Sequence, residues 1–359
     1  MFIRPLPLLA AVAAVHASPI LVKRLFPDPE PCTGNCSWIH DPNVYIERGT
    51  YYRFSTSGNI AVATADSMSG PWTYQGSLLE EGTSIVIDEA RQDVWAPNVV
   101  KINNTFYCYY SVSFLGSQAS QIGFATSPSL TIGSWTDHGS LNIPQSPSYN
   151  LIDPALFQES ADSPVHMTFG SYWDGIFSLQ LAAETLAYKR DAPPSSQSSI
   201  TWNRNVTRTN PTTSPPSSLN LPNLIRNTTA SPDVVEGAFM YAHAGLYFLF
   251  FSAGNCCATP PNLAPPGHEY RILVCRAASP AGPFMDREGR RCDESGGTLV
   301  LGSHGDVYAP GGQGVLFDEG AGREVLYYHY VRPSVGYDAS QFFFGFNYLE
   351  WVGGWPVVV

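Results

Sequence analysis

The chain carries 30 acidic against 19 basic side chains over 359 residues, a net charge of −11. Residues 1–24 hold Arg4, Lys23 and Arg24 but no acid, so the remainder has 16 basic residues against 30 acidic ones and sits near −14. That balance argues against nucleic acid or an anionic membrane as partner, and a chain that is 13% aromatic suits a neutral polar ligand better.

The first residues, MFIRPLPLLAAVAAVHAS, place Arg4 ahead of an apolar run from Leu6 to Val15, with the small Ala17 at a cleavage position. The run is too short to span a bilayer, and residues 1–17 read as a secretory signal peptide. No other long uncharged apolar run follows, so no membrane span is expected. The dibasic Lys23-Arg24 makes 18–24 a candidate propeptide, two solvated basic residues being the alternative, and 25–359 the mature chain. Export to an oxidising, extracellular compartment predicts up to three disulfides among Cys32, Cys36, Cys108, Cys256, Cys257, Cys275 and Cys292, with the odd thiol free or paired between molecules. Asn-x-Ser/Thr sequons at Asn35, Asn103, Asn205 and Asn227 fit surface loops of a secreted glycoprotein. The vicinal Cys256-Cys257, followed by a Pro-rich loop, reads as a stapled rim loop.

A short turn-and-strand pattern then recurs five times: WIHDPNVY at Trp38–Tyr45, DVWAPNVV at Asp93–Val100, LIDPALF at Leu151–Phe157, VVEGAFM at Val234–Met240 and YAPGGQGVLF at Tyr308–Phe317. Each copy is followed by a second run rich in Tyr, Phe and Val and by a third beginning near Ile60, Ile122, Ile176, Arg271 or Phe342, all with strand chemistry. Matching closing signals complete four blocks: SGPWTYQG, GSWTDHG, AGPFMD and GGWPV. Measured between Asp41, Pro97, Asp153, Glu236 and Pro310, the repeat intervals are 56, 56, 83 and 74 residues. Four-stranded units at this period, with almost no amphipathic helix between them, predict an all-β, five-bladed β-propeller in a single domain. A β-sandwich would not repeat the closing signal. The longest interval contains 190–233, rich in Pro, Ser and Thr, and reads as a surface insertion.

Inner strands of a propeller line a central channel, so residues at equivalent places converge at its mouth. Asp41, Asp153 and Glu236 occupy that place in the first, third and fourth copies. An Asp before Pro is by itself a common turn residue, but a Glu in an apolar strand is costly without a role. Taken as a set, the three read as catalytic, because like charges in one pocket push pKa values apart and leave one carboxyl protonated beside another ionised. Two such groups facing a sugar are the equipment of glycoside hydrolysis. Trp95, Phe114 and Tyr172 are candidate sugar-stacking rings, with packing between blades as the alternative. Asn98, Asn150 and Ser171 are candidate hydrogen-bonding residues, with turn capping as the alternative.

The ordered set HDP at His40–Pro42, WAPN at Trp95–Asn98, IDPALF at Ile152–Phe157, FGSYWDGI at Phe169–Ile176 and VEGAF at Val235–Phe239 resembles glycoside hydrolase family 43, and within it the fungal secreted endo-1,5-α-L-arabinanases, over nearly all of the mature chain. That resemblance implies hydrolysis with inversion of α-1,5-linked arabinan, a pectin side chain, with Asp41 as general base, Glu236 as general acid and Asp153 as the residue that tunes and orients the acid. An inverting pair leaves room for water, which sets the expected Asp41–Glu236 carboxyl separation at roughly 6.5–9.5 Å. The implied partner is arabinan or its oligosaccharides, bound by a monomer, and no cofactor is required.

One segment departs from the family pattern. Many arabinanases carry a histidine in a GPGHN segment that holds a metal near the channel, whereas here Gly312 of APGGQGV stands in its place. Gln313 and His329 are the weak alternatives for a structural calcium or other ion. Rival functions are an exo-acting α-L-arabinofuranosidase or β-xylosidase of the same family, and a non-catalytic carbohydrate-binding propeller, which the intact carboxylate set argues against.

Overall fold

The computed structural model describes residues 26–182, 221–229 and 234–359. The expected signal peptide and propeptide lie outside the described residues, as does most of the expected insertion. Among the described residues there is no α-helix, only two three-residue 3-10 turns, Cys292–Glu294 and Ala339–Gln341.

Twenty strands form five antiparallel four-stranded sheets. The first blade is β1 (Asn43–Glu47), β2 (Thr50–Ser55), β3 (Ala61–Ala65) and β4 (Thr73–Ser77). The second is β5 (Asp93–Ile102), β6 (Thr105–Ser113), β7 (Gln121–Ser127) and β8 (Thr136–Ser140). The third comprises β9 (Ala155–Phe157), β10 (His166–Phe169), β11 (Ile176–Gln180) and β12 (Asn223–Ile225). The fourth comprises β13 (Val235–His243), β14 (Leu246–Ala253), β15 (Arg271–Ala277) and β16 (Thr298–Leu301). The fifth is β17 (Tyr308–Asp318), β18 (Arg323–Val331), β19 (Phe342–Val352) and β20 (Trp355–Val358). Within every sheet the spatial order follows the chain, from the channel outward.

The five-bladed expectation is met, with three local differences. The segment read as an insertion contributes Asn223–Ile225 as the outer strand of the third blade, because three residues of strand give too short a pattern to stand out from their polar surroundings. In the fourth blade AGPFMD is not the outer strand. Met285 makes only isolated bridges, with Arg276 and Arg291, and β16 follows after a 3-10 turn that the Cys275–Cys292 disulfide ties to β15. Finally, Trp38–Pro42 precede the first inner strand, which starts at Asn43.

Five apolar clusters fill the spaces between neighbouring blades. Phe54, Val62, Val94, Val99 and Phe106 pack between the first and second blades, and Val44, Tyr51, Val325, Tyr327 and Phe346 between the fifth and first. Ring closure uses the segment ahead of β1. Because β20 pairs only with Leu349–Val352, the front half of β19 would be an open edge. Residues 30–39 cover it, with Glu30 N donating to Phe346 O at 2.9 Å, Phe344 N to Cys36 O at 2.9 Å and Ile39 N to Phe342 O at 3.2 Å. The same segment bonds to the first blade, where Asn35 N donates to Trp72 O at 2.8 Å, and the Cys32–Cys36 disulfide staples it. The other disulfide is Cys256–Cys257, and Cys108 is free and buried.

Candidate active site

All five inner strands are approached through one residue with left-handed backbone: Asp41 (φ 43°), Ala96 (46°), Asp153 (56°), Gly237 (60°) and Ala309 (53°). A proline follows in four of them and bars the ordinary helical conformation from the residue before it. Equivalence by backbone therefore differs from equivalence by charge. Asp41 and Asp153 match each other, but Gly237, and not Glu236, stands in their place. Glu236 matches Trp95 and Tyr308, the last paired residue before each strand's register shift. Glu236 thus reaches the mouth from one residue earlier in the turn than the two aspartates.

The N–H groups around these turns are mostly satisfied by a side chain from the neighbouring blade. Thr56 Oγ1 accepts from Ala96 N at 2.8 Å, Ser111 Oγ from Asp153 N at 2.9 Å, and Ser252 Oγ from Gly312 N at 3.0 Å. Between the third and fourth blades Asp153 itself accepts, through Oδ2, from Gly237 N at 3.2 Å. Between the fifth and first, His329 Nδ1 accepts from Asp41 N at 3.0 Å. These contacts aim the carboxylates. Thr56 also donates to Asp41 Oδ2 at 2.8 Å. Thr56 follows the second strand of its blade and Ser111 and Ser252 lie within the last three residues of theirs, so a hydroxyl near that strand's end was a readable signal for them.

Glu236 is held by two hydroxyls, Tyr270 donating to Oε1 at 2.9 Å and Ser171 donating to Oε2. Burial raises the Glu236 carboxyl above its ordinary range, the two hydroxyl bonds pull it back, and the charge of Asp41 raises it further. Burial also raises Asp153 well above the usual range, helped by Glu236 and Asp41 and opposed by the Gly237 N–H. Glu236 and Asp153 therefore hold a proton to higher pH than free carboxyls do, and the charge of Asp41 contributes to both shifts. Tyr270 stays a phenol, its pKa raised by burial and by all three carboxylates. It had no signal in the sequence. Asp41 and Asp153 line a cavity to which all five inner strands contribute, through Asn43, Asn98, Ala155, Phe239 and Gln313, and Gly237, next to Glu236, borders it.

The remaining expected residues divide. Ser171 and Tyr172 sit beside Glu236, with Tyr172 40% exposed. Trp95 is half-buried at the second blade's turn, and Phe114 lies under the Arg91 guanidinium at 4.2 Å. Asn98 is buried and its Oδ1 accepts from Leu156 N at 3.0 Å, as Asn43 Oδ1 does from Val99 N at 2.9 Å. Both asparagines staple adjacent inner strands. Asn150 is buried with its Oδ1 unpartnered.

The residues expected near an ion do not fit calcium, which takes oxygen ligands. Gln313 accepts from Ser252 Oγ at 2.7 Å and donates to Gly237 O at 2.6 Å, engaging its carboxamide at both ends. His329 Nδ1 is taken by Asp41 N–H, which places the ring proton on Nε2. Burial and the neighbouring His40 hold its pKa well below the ordinary value, so it is neutral. His40, Cys256 and His329 bring donor atoms within 4.8 Å of one another, but these are nitrogen and sulfur, and Cys256 is in a disulfide.

Comparison with known proteins agrees with this geometry. The chain is 41% identical over 354 residues, 98% of its length and 99% of the relative's, to arabinan endo-1,5-α-L-arabinosidase A of Aspergillus niger. It is 38% identical over 356 residues to the Aspergillus aculeatus protein of the same description, covering 98% and 97% of the two chains. Among solved structures, a native Bacillus subtilis arabinanase superposes with a TM-score of 0.68 at 26% identity, over 90% of this chain and 98% of that one. A Bacillus licheniformis endo-arabinanase does so with 0.69 at 26%, over 91% and 99%. The model of the family Glycosyl hydrolases family 43 matches residues 39–356, and with its five blades and paired carboxylates the chain belongs to that family.

Proposed function

We infer that the protein is an endo-acting glycosidase that hydrolyses α-1,5-L-arabinofuranosidic bonds within arabinan. The observation that carries this reading is the convergence of Asp41, Asp153 and Glu236 at one channel mouth, where the charge of Asp41 acts on both other carboxyls, in a chain collinear with fungal arabinan endo-1,5-α-L-arabinosidases.

In the proposed mechanism Glu236, kept protonated by burial and by the charge of Asp41, gives its proton to the oxygen of the departing sugar. Ser171 and Tyr270 fix the direction of that carboxyl. Asp41, oriented by Thr56 and tethered through its backbone to His329, takes a proton from the attacking water. Attack opposite the leaving group inverts the anomeric centre, which requires a water-sized gap between the two carboxyls. Asp153 neighbours the acid, and its contact with the Gly237 N–H ties it to the turn that presents Glu236. The disulfides fit an oxidising compartment, and secretion is the proposed route to the substrate.

The test is product sizing on linear arabinan. A mixture of short oligosaccharides, with the new reducing end released in the β configuration, is expected; arabinose alone, or the α configuration, would overturn endo action or inversion respectively. Glu236→Gln is expected to lower kcat by about 10²–10⁴-fold, the usual worth of a general acid.

A further inference from the structure

Trp38 is 63% exposed and holds a left-handed backbone at φ 60°. A bulky side chain rarely adopts that conformation, and nothing is buried in return. The conformation is held from both sides: Ser37 bridges to Phe343, and Ile39 N donates to Phe342 O. Between them Trp38 lies beside the start of β19, the end of the fifth blade at which Val331 pairs with Tyr308, and its side chain is exposed.

Its position relative to the site is fixed by the chain. Two residues lie between Trp38 and Asp41, so their Cα atoms are at most about 11 Å apart. His40, in between, stacks on Phe342 at 4.1 Å and packs against His329 at 4.8 Å. The indole is therefore set back from the reacting bond but rigidly referred to the base.

Across the mouth lies a second strained aromatic pair. Tyr172 (φ 51°) and Trp173 (φ 42°) are each 40% exposed, with ring centroids 6.3 Å apart. They follow Ser171, which donates to Glu236. Trp38 sits where the fifth and first blades meet, and in a ring of five that junction faces the third blade, which bears Tyr172 and Trp173. The blade order therefore sets the two aromatic positions on opposite sides of the ring, with the turns that bear the carboxylates between them.

We propose that Trp38 is a stacking platform for a sugar unit of the arabinan chain remote from the cleaved bond, so that the binding cleft runs from Trp38 across Asp41 and Glu236 to Tyr172 and Trp173. This rests on the arabinanase reading. The C–H face of a furanose ring is apolar and matches an exposed indole face. Because neither partner is charged, the contribution is insensitive to salt.

The test compares Trp38→Ala and Trp38→Phe with wild type on linear arabinan and on arabinotriose, alongside thermal unfolding. For Trp38→Ala an increase of about tenfold in KM on the polymer is expected, equivalent to about 1.4 kcal/mol. Its kcat on the polymer, its kcat/KM on the trisaccharide and its melting temperature stay at wild-type values, and Trp38→Phe recovers most of the polymer KM. An unchanged polymer KM in an active enzyme overturns the platform. An equal loss on both substrates also overturns it, since that would place the effect at Asp41. A wild-type enzyme that leaves arabinan intact would instead overturn the functional reading beneath it.

Discussion

His329 Nδ1 accepts the backbone N–H of Asp41 at 3.0 Å, joining the last blade to the residue that opens the first. Where three other junctions use a hydroxyl at or near the end of the second strand, the fifth blade has Val331, and the imidazole two residues earlier takes over. Asp41 is thus held at the point where the ring closes. Removing the acceptor in His329→Ala strands a buried N–H, which costs roughly 1–3 kcal/mol. A lower melting temperature is expected together with a fall in kcat, and His329→Asn, which keeps an acceptor oxygen near the same place, should recover part of both.

Tyr270 donates to Glu236 and so favours the ionised acid. In Tyr270→Phe the Glu236 pKa rises further. Activity depends on the protonated form and is lost as pH climbs through that pKa, so the alkaline limb of the kcat profile should move to higher pH. A limb that stays in place would show that the phenol does not tune the acid.

Asp153 has its carboxyl pKa raised well above the ordinary value, first by burial and then by Glu236 and Asp41. A carboxyl raised in the folded state contributes its full stability below the unfolded pKa, about 3.9 for an aspartate, and loses it as pH rises through the folded value. Asp153→Asn does not titrate. The variant's melting temperature relative to wild type should therefore increase between acidic and neutral pH, while its arabinan hydrolysis falls. A difference that stays constant with pH would contradict the raised pKa.

Gly312 has φ 57°, and a Cβ there would lie 2.5 Å from Asp41 Oδ1 and 2.7 Å from His329 Nδ1. Gly312→Ala must push the base aside. A displacement of about 1 Å in a catalytic group can cost roughly a hundredfold in rate, so a loss of that order in kcat is expected with KM little changed. The same crowding explains why a larger residue, such as the histidine of the related segment, does not suit this position.

Much of this protein was legible in the sequence because its information is local and repeated. Alternating Tyr, Phe and Val runs bounded by Gly and Asn specify strands, and the recurrence of HDP, WAP and IDP, continued by VVEGAFM and YAP at longer intervals, specifies blades. A left-handed residue before proline is a local steric event, so the turns that carry Asp41 and Asp153 could be found one by one. What the tertiary structure alone decided depends on contacts between distant segments. Asn223–Ile225 became a strand only because β11 offers an edge. Residues 30–39 became the outer edge of the fifth blade because β20 is too short to cover β19. Glu236 reached the same mouth from a different place in its turn. Tyr270 and His329 acquired their roles by packing over carboxylates that lie 34 and 288 residues away in the chain, distances over which no periodicity in the sequence survives.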